Sequence, residues 1–184
     1  MTGRILALDL ATTTGWALGV PGQPITSGSI RFSGSTEDQS IGFARYTSWI
    51  GELLSTHDVT EVCYEQPMDP RHMVNKVTGR ATTNFATIRL LLGMCAITEA
   101  QARIYRVPRL TEAPVQSVRK HLLKHRPAKG QSKIAVAQML KILGYRPVDD
   151  NEADALALIL YVSAIRAPGA DIATPLPLRS AQNG

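Results

Sequence analysis

Three carboxylates stand where folding alone would not put them. Asp9 interrupts the apolar strand Ile5, Leu6, Ala7, Leu8; Glu65 ends the strand Val62, Cys63, Tyr64; Asp154 opens a helix with no other charge before Arg166. Taking an unpaired carboxylate out of water costs several kcal/mol, so each needs a cation or hydrogen bonds to hold it. One shared divalent cation would compensate all three. Mg²⁺, or Mn²⁺ as its substitute, takes hard oxygen ligands and keeps waters for chemistry. Two such ions about 4 Å apart stabilise both the attacking and the leaving oxygen of phosphodiester hydrolysis. Plainer readings stand beside this one. Asn151 and Asp154 have capping-box spacing, Glu65 lies at a strand end, and Asp149, Asp150 and Glu152 either thicken the acidic cluster or form a solvated turn. Asp9, in mid-strand, is the hardest to dismiss. Thr12, Thr13 and Thr14, just beyond it, either donate to a phosphate or a metal-bound water, or simply make a turn.

The cations are segregated from these acids. Arg103, Arg106, Arg109, Arg119, Lys120, Lys124, Arg126, Lys129 and Lys133 face a single acid, Glu112, so residues 103–133 carry +8 and leave −3 for the rest of a +5 chain. Such clustering favours a polyphosphate backbone, whose binding releases counterions, although charge runs also serve as solvated helix faces. His121 and His125 have metal-ligand spacing, but no nearby acid or cysteine completes a site, so they read as surface histidines. The segment 66–80 lacks apolar periodicity and is longer than a connection requires, which marks it as functional or mobile. It carries Met68, Arg71, His72, Met73, Lys76 and Arg80, cations beside apolar side chains, suited to a nucleic acid wedge or a plain lid.

The elements that must position these groups follow from apolar periodicity. Strands are expected at 4–10, 16–20 and 25–32, then a helix over 36–56 opened by a Ser35/Asp38 capping box, and a strand at 59–65. A broadly apolar helix over 84–100 should be buried on more than one side. A short strand at 103–107 follows, then helices at 115–125, 132–143 (ended by Gly144) and 152–165. The order implies an α/β fold with a mixed sheet and helices on its faces. With 184 residues, one domain over 1–166 and an irregular Pro-rich tail over 167–184 account for the chain. No apolar run reaches the roughly 18 residues of a membrane span, and Asp9 breaks any signal-peptide pattern. Cys63 and Cys95 sit in apolar runs without redox or metal spacing, so reduced core thiols of a cytoplasmic protein are expected.

LALDLATTTGWAL at 6–18, VCYEQP at 62–67 and DDNEADALAL at 149–158 resemble the three acidic motifs of RuvC-type Holliday junction resolvases, most closely the phage and prophage versions. The resemblance covers nearly all of 4–165. It implies a ribonuclease H-like fold with a five-stranded mixed sheet, and a metal-dependent endonuclease that cuts branched DNA in a bacterial or phage-infected cell. It further implies metal ligands at Asp9, Glu65 and Asp154 holding Mg²⁺, with two ions per site. Asn151 stands where the family usually carries Asp or His, so either its carbonyl is a weaker ligand or Asp150 replaces it. By the same resemblance Arg119 and Lys133, with Lys120 nearby, would hold phosphate, and Met68 occupies the place of an aromatic residue in bacterial members. A four-way junction has two-fold symmetry, so a homodimer is expected, with helix 84–100 either its face or ordinary core. Two other functions remain. DLATTTG also resembles the phosphate-binding motif of actin-like ATPases, which need a second lobe, and Asn151 makes a junction binder with weak or no cleavage plausible.

Overall fold

The computed structural model describes residues 3–34, 36–67, 83–124, 128 and 130–169. Five strands form one sheet: β1 (Arg4–Asp9), β2 (Thr13–Gly19), β3 (Thr26–Arg31), β4 (Val59–Glu65) and β5 (Arg109–Ala113). Their order is β3-β2-β1-β4-β5. The meander β1–β2–β3 is antiparallel, while β4 and β5 run parallel to β1. The helices are α1 (Gln39–Thr56), α2 (Phe85–Ile104), α3 (Val115–Leu123), α4 (Ser132–Ile142) and α5 (Asp150–Arg166). The sheet is therefore mixed and five-stranded, as the sequence implies. No helix among the described residues is long and apolar enough to cross a membrane.

Strand alternation sorts the side chains into two cores. Ile5, Ala7, Ala17, Cys63 and Ala113 lie in one cluster with α3, α4 and α5. Leu6, Leu8, Leu18, Val62 and Tyr64 lie in the other with α1 and α2. Asp9 and Glu65 share the first parity and so belong to the α5 face. Both cysteines are buried and free.

Four local expectations are corrected. The fifth strand is Arg109–Ala113, not 103–107. Alternation in the RIYRV segment mimics a strand, but Arg103 and Ile104 continue α2. The helix then ends with Arg106 at φ 54° and a Val107 N–H to Ala102 carbonyl bond of 2.8 Å, a Schellman-type stop. Helix α1 starts at Gln39 with Asp38 as its cap, accepting from Ser40 N at 2.7 Å, so residues 36–38 precede the helix rather than belong to it. Strand β2 begins already at Thr13 because Thr13 and Thr14 pair with Arg31 and Ile30 of β3. Finally, α2 is buried on one side only: Met94, Cys95, Thr98 and Ala102 face the interior, while Phe85, Leu92 and Ile104 are exposed.

The N-terminus of α5 is pinned to the sheet, and this matters for the site. Asp149, not Asn151, is the cap, accepting from Glu152 N at 2.8 Å. Glu152 in turn is buried and accepts from Val148 N and Ser27 Oγ, both at 2.7 Å, and Ser29 Oγ donates to Asp149 at 2.6 Å. These two acids are thus structural bonds to edge strand β3, not a solvated turn. At Gly15 the α5 backbone presses on β2: a Cβ there would overlap the Asn151 carbonyl and lie 2.8 Å from Glu152 N. Only glycine permits that approach.

Candidate functional site

Parallel pairing aligns Leu8 with Tyr64, which brings the next residues, Asp9 and Glu65, to neighbouring positions at the C-terminal edge of the sheet. Asp9 also pairs with Gly15, the residue on which the first turn of α5 rests. Asp154 lies one turn further along α5, over the same edge. A bond from Gln66 N to the Ala113 carbonyl at 2.9 Å extends the β4–β5 ladder past Glu65 and fixes its backbone. The three acids are each half-buried.

Their charges act on one another. Burial, then the charges of Asp154 and Glu65, push the Asp9 carboxyl up to about 7. Burial and Asp154 push Glu65 up to about 7 as well, against a lowering pull from Arg119. Burial also raises Asp154, opposed by Arg119 and Lys133. None of the three accepts a hydrogen bond or ion pair from a described residue closely enough to offset this, which is the state expected of like charges crowded into a partly dry edge.

The remaining sequence-derived candidates divide. Arg119, half-buried on α3, acts on both Glu65 and Asp154, and its Nε is buried with no hydrogen-bond partner among the described residues. Lys133, in the first turn of α4, acts on Asp9 and Asp154 and bonds Asp150 at 3.0 Å. Lys120 is exposed on α3. Asp150 is exposed and occupied by Lys133, and touches the group only through its charge on Asp154. Asn151 is half-buried, in the first turn of α5 beside the cap. Burial works against the Asp149 charge, but bonds from Glu152 N, Ser29 and both the backbone and side chain of Asn151 outweigh it and hold that carboxyl low. Met68, Arg71, Lys76 and Arg80 lie outside the described residues, as do His125 and the tail beyond 169. His121 is not a surface group: its ring packs edge-on to Tyr161 at 5.7 Å, and burial lowers its pKa. Thr14 is buried and spends its hydroxyl on the Ala11 carbonyl, so it acts as a turn residue.

Hard oxygen donors, uncompensated and mutually repelling, suit a divalent cation in donor chemistry. Among the described residues, however, no three His, Cys, Asp or Glu side chains are already gathered around one point as a ready-made metal cage. The group is a carboxylate cluster with cations on its rim.

No family model matches the chain. Nor does any curated protein sequence. Solved structures do resemble it. Thermus thermophilus RuvC in complex with a Holliday junction substrate superposes with a TM-score of 0.65 at 17% identity, covering 89% of this chain and 95% of that one. A second T. thermophilus RuvC structure gives 0.64 at 19% identity over the same shares. A yeast mitochondrial Holliday junction resolvase gives 0.59 at 13% identity, covering 90% of this chain and 78% of that one. The fold of the chain is thus the ribonuclease H-like fold of the RuvC structures.

Proposed function

We propose that the chain is a metal-dependent endonuclease that cuts four-way or otherwise branched DNA by phosphodiester hydrolysis. The observation that carries this reading is the set Asp9, Glu65 and Asp154, brought to one sheet edge with two carboxyls pushed up to about 7 and no cation among the described residues close enough to neutralise them. Leaving such groups unpaired costs stability, and a site that keeps them gains something at that edge. The likeness of the fold to RuvC and to a mitochondrial Holliday junction resolvase supports branched DNA as the substrate class.

In this reading Asp9, Glu65 and Asp154 hold Mg²⁺ or Mn²⁺, as two ions per site, which supply Lewis-acid stabilisation of the phosphate oxygens. Arg119 and Lys133 approach from the rim and hold the phosphate flanking the cut. Lys120 and the basic residues Arg71, Lys76 and Arg80, with Met68, extend the DNA contact. Asn151 adds no charge to the ion site, and Asp150 acts through Lys133. Two chains related by a two-fold axis match the symmetry of a four-way junction. The uncovered face of α2, with Leu92 46% and Ile104 66% exposed, is the surface for that homodimer. The chemistry is that of the cytoplasm, where the DNA is.

A second reading, a junction binder with weak or no cleavage, is favoured by one fact: no closed cage exists among the described residues. Cleavage of a synthetic four-way junction in Mg²⁺ decides between them. The nuclease reading expects Mg²⁺-dependent nicks that fall at least about a thousandfold in Asp9→Asn, since several kcal/mol of charge stabilisation goes with the ion. Tight junction binding by the native chain without any cutting would favour the binder.

A further inference from the structure

On the α1/α2 face of the sheet, a cavity of about 410 Å³ opens between the starts of α1 and α2 and the turn after β1. Its volume is within the roughly 300–1,000 Å³ of small-ligand sites. Thr12, three residues beyond Asp9 in the chain, forms part of its wall, so the cavity opens near the end of β1 on the face opposite the Asp9 side chain.

The lining has an unusual make-up for a surface dent. Phe85, the first residue of α2, stands 78% exposed at the rim, where nothing in the described fold uses its ring. Gln39 ties the two helix starts together, donating from Nε2 to the Ala86 carbonyl at 2.6 Å, and its Oε1 has no hydrogen-bond partner among the described residues. Asn84 caps α2 by accepting from Thr87 N and Thr87 Oγ1 through Oδ1, which leaves its amide NH₂ unpartnered among the described residues. Arg89 makes no ion pair among them and acts only as a distant charge on Asp38. Glu37 is held by Arg45 at 2.9 Å and by Gly34 N at 2.7 Å.

A phosphate is poorly served here, because Arg89 is the single cation among the described lining residues and the Glu37 carboxylate shares that lining. A neutral planar ring with a polar edge is well served. It can stack on the phenyl face of Phe85 or the guanidinium plane of Arg89 and present its edge to amide groups, the combination by which proteins hold unstacked bases.

We propose that this cavity receives one unpaired nucleobase, stacked against Phe85, and so makes the chain select DNA whose bases are open at the branch. The proposal deepens the branched-DNA reading, but its test stands apart from cleavage.

The probe is a labelled thymidine strand of about 12 nucleotides, compared by fluorescence anisotropy with a blunt duplex of equal length. Phe85→Leu keeps apolar bulk and removes the π face; Phe85→Trp keeps the face. The cavity model expects Phe85→Leu to bind the single strand about tenfold more weakly and Phe85→Trp to bind it as the native chain does. Duplex binding and sedimentation behaviour should be unchanged in both. Equal single-strand affinity of Phe85→Leu and native protein, or a loss shared equally with duplex, overturns the proposal. A changed oligomeric state in Phe85→Leu overturns it too, since the ring would then be a contact between copies. Phe85-dependent single-strand binding in a chain that never cuts a junction would leave the base cavity standing and sink the nuclease reading instead.

Discussion

Glu61 and Glu65 sit four residues apart on β4 and face the same side of the sheet, under opposite ends of α5. Glu61 is only 2% exposed, yet it is fully answered: Arg166 grips both its oxygens at 2.8 Å, Thr111 Oγ1 donates at 2.6 Å, and Arg109 reaches it at 3.3 Å. Although burial works against its charge, the Arg166 and Thr111 bonds hold its carboxyl below the ordinary value. Glu65 meets the start of the same helix, finds two further carboxylates there, and is pushed the other way, to about 7. One strand and one helix thus carry a closed ionic latch at one end and an open acidic group at the other. The fold can satisfy a buried carboxylate with a bidentate arginine, so the open end is not a limit of what this architecture can pair. In the proposed function, the charge left uncompensated there by the described residues is kept for a cation.

The difference can be broken from the latch side first. Arg166→Met leaves Glu61 buried and short of its main partner, and should cost about 3 kcal/mol of stability. Urea unfolding measures this, and junction cutting per folded molecule should be retained. A variant as stable as the native chain would mean the latch is not what holds the end of α5.

The open end should respond with the opposite sign. A carboxyl raised in the folded state binds its proton more tightly there than in the unfolded chain, so its penalty is absent below about pH 4 and complete above about pH 7. A lowered carboxyl such as Glu61 contributes stability above its ordinary value and loses it as pH falls through the depressed one. Without divalent cations, Asp9→Asn should therefore stabilise the chain at pH 8 by on the order of 2 kcal/mol and by much less at pH 5. Thermal unfolding at the two pH values checks it; a variant destabilised at pH 8 would show that Asp9 is already paired. Smallest is the cap that seats α5 over the site: Asp149→Ala should cost about 1 kcal/mol, read from urea midpoints, and no loss would show that this cap does not hold the start of α5.

The open group was readable in the residue order because its acids interrupt apolar runs: Asp9 between ILAL and Leu10, Glu65 after VCY, Asp154 ahead of a run without charge up to Arg166. The latch was not. In VTEVCYE, Glu61 alternates as a half-exposed strand residue would, and its partner Arg166 is 105 positions away. Assigning the fifth strand to 103–107 also moved Arg109 and Thr111 off the sheet, which hid the other two partners. That error has a local cause, since strand-like alternation in RIYRV is overridden by the continuation of α2 and the left-handed turn at Arg106. Asn151 and Asp154 have the spacing of a capping box, but the preceding Asp149 can reach both Glu152 and Ser29 of β3, a tertiary bond that no local pattern reveals.

Titration of the native chain with Mn²⁺, followed by its melting temperature, tests most directly whether the open end holds a cation. A ligand that binds only the folded state raises stability by RT ln(1 + [L]/Kd). The account predicts that Mn²⁺ raises the melting temperature of the native chain and of Arg166→Met, and that the rise disappears in Asp9→Asn and Glu65→Gln. A native chain indifferent to Mn²⁺, or an equal rise in Asp9→Asn, would contradict it.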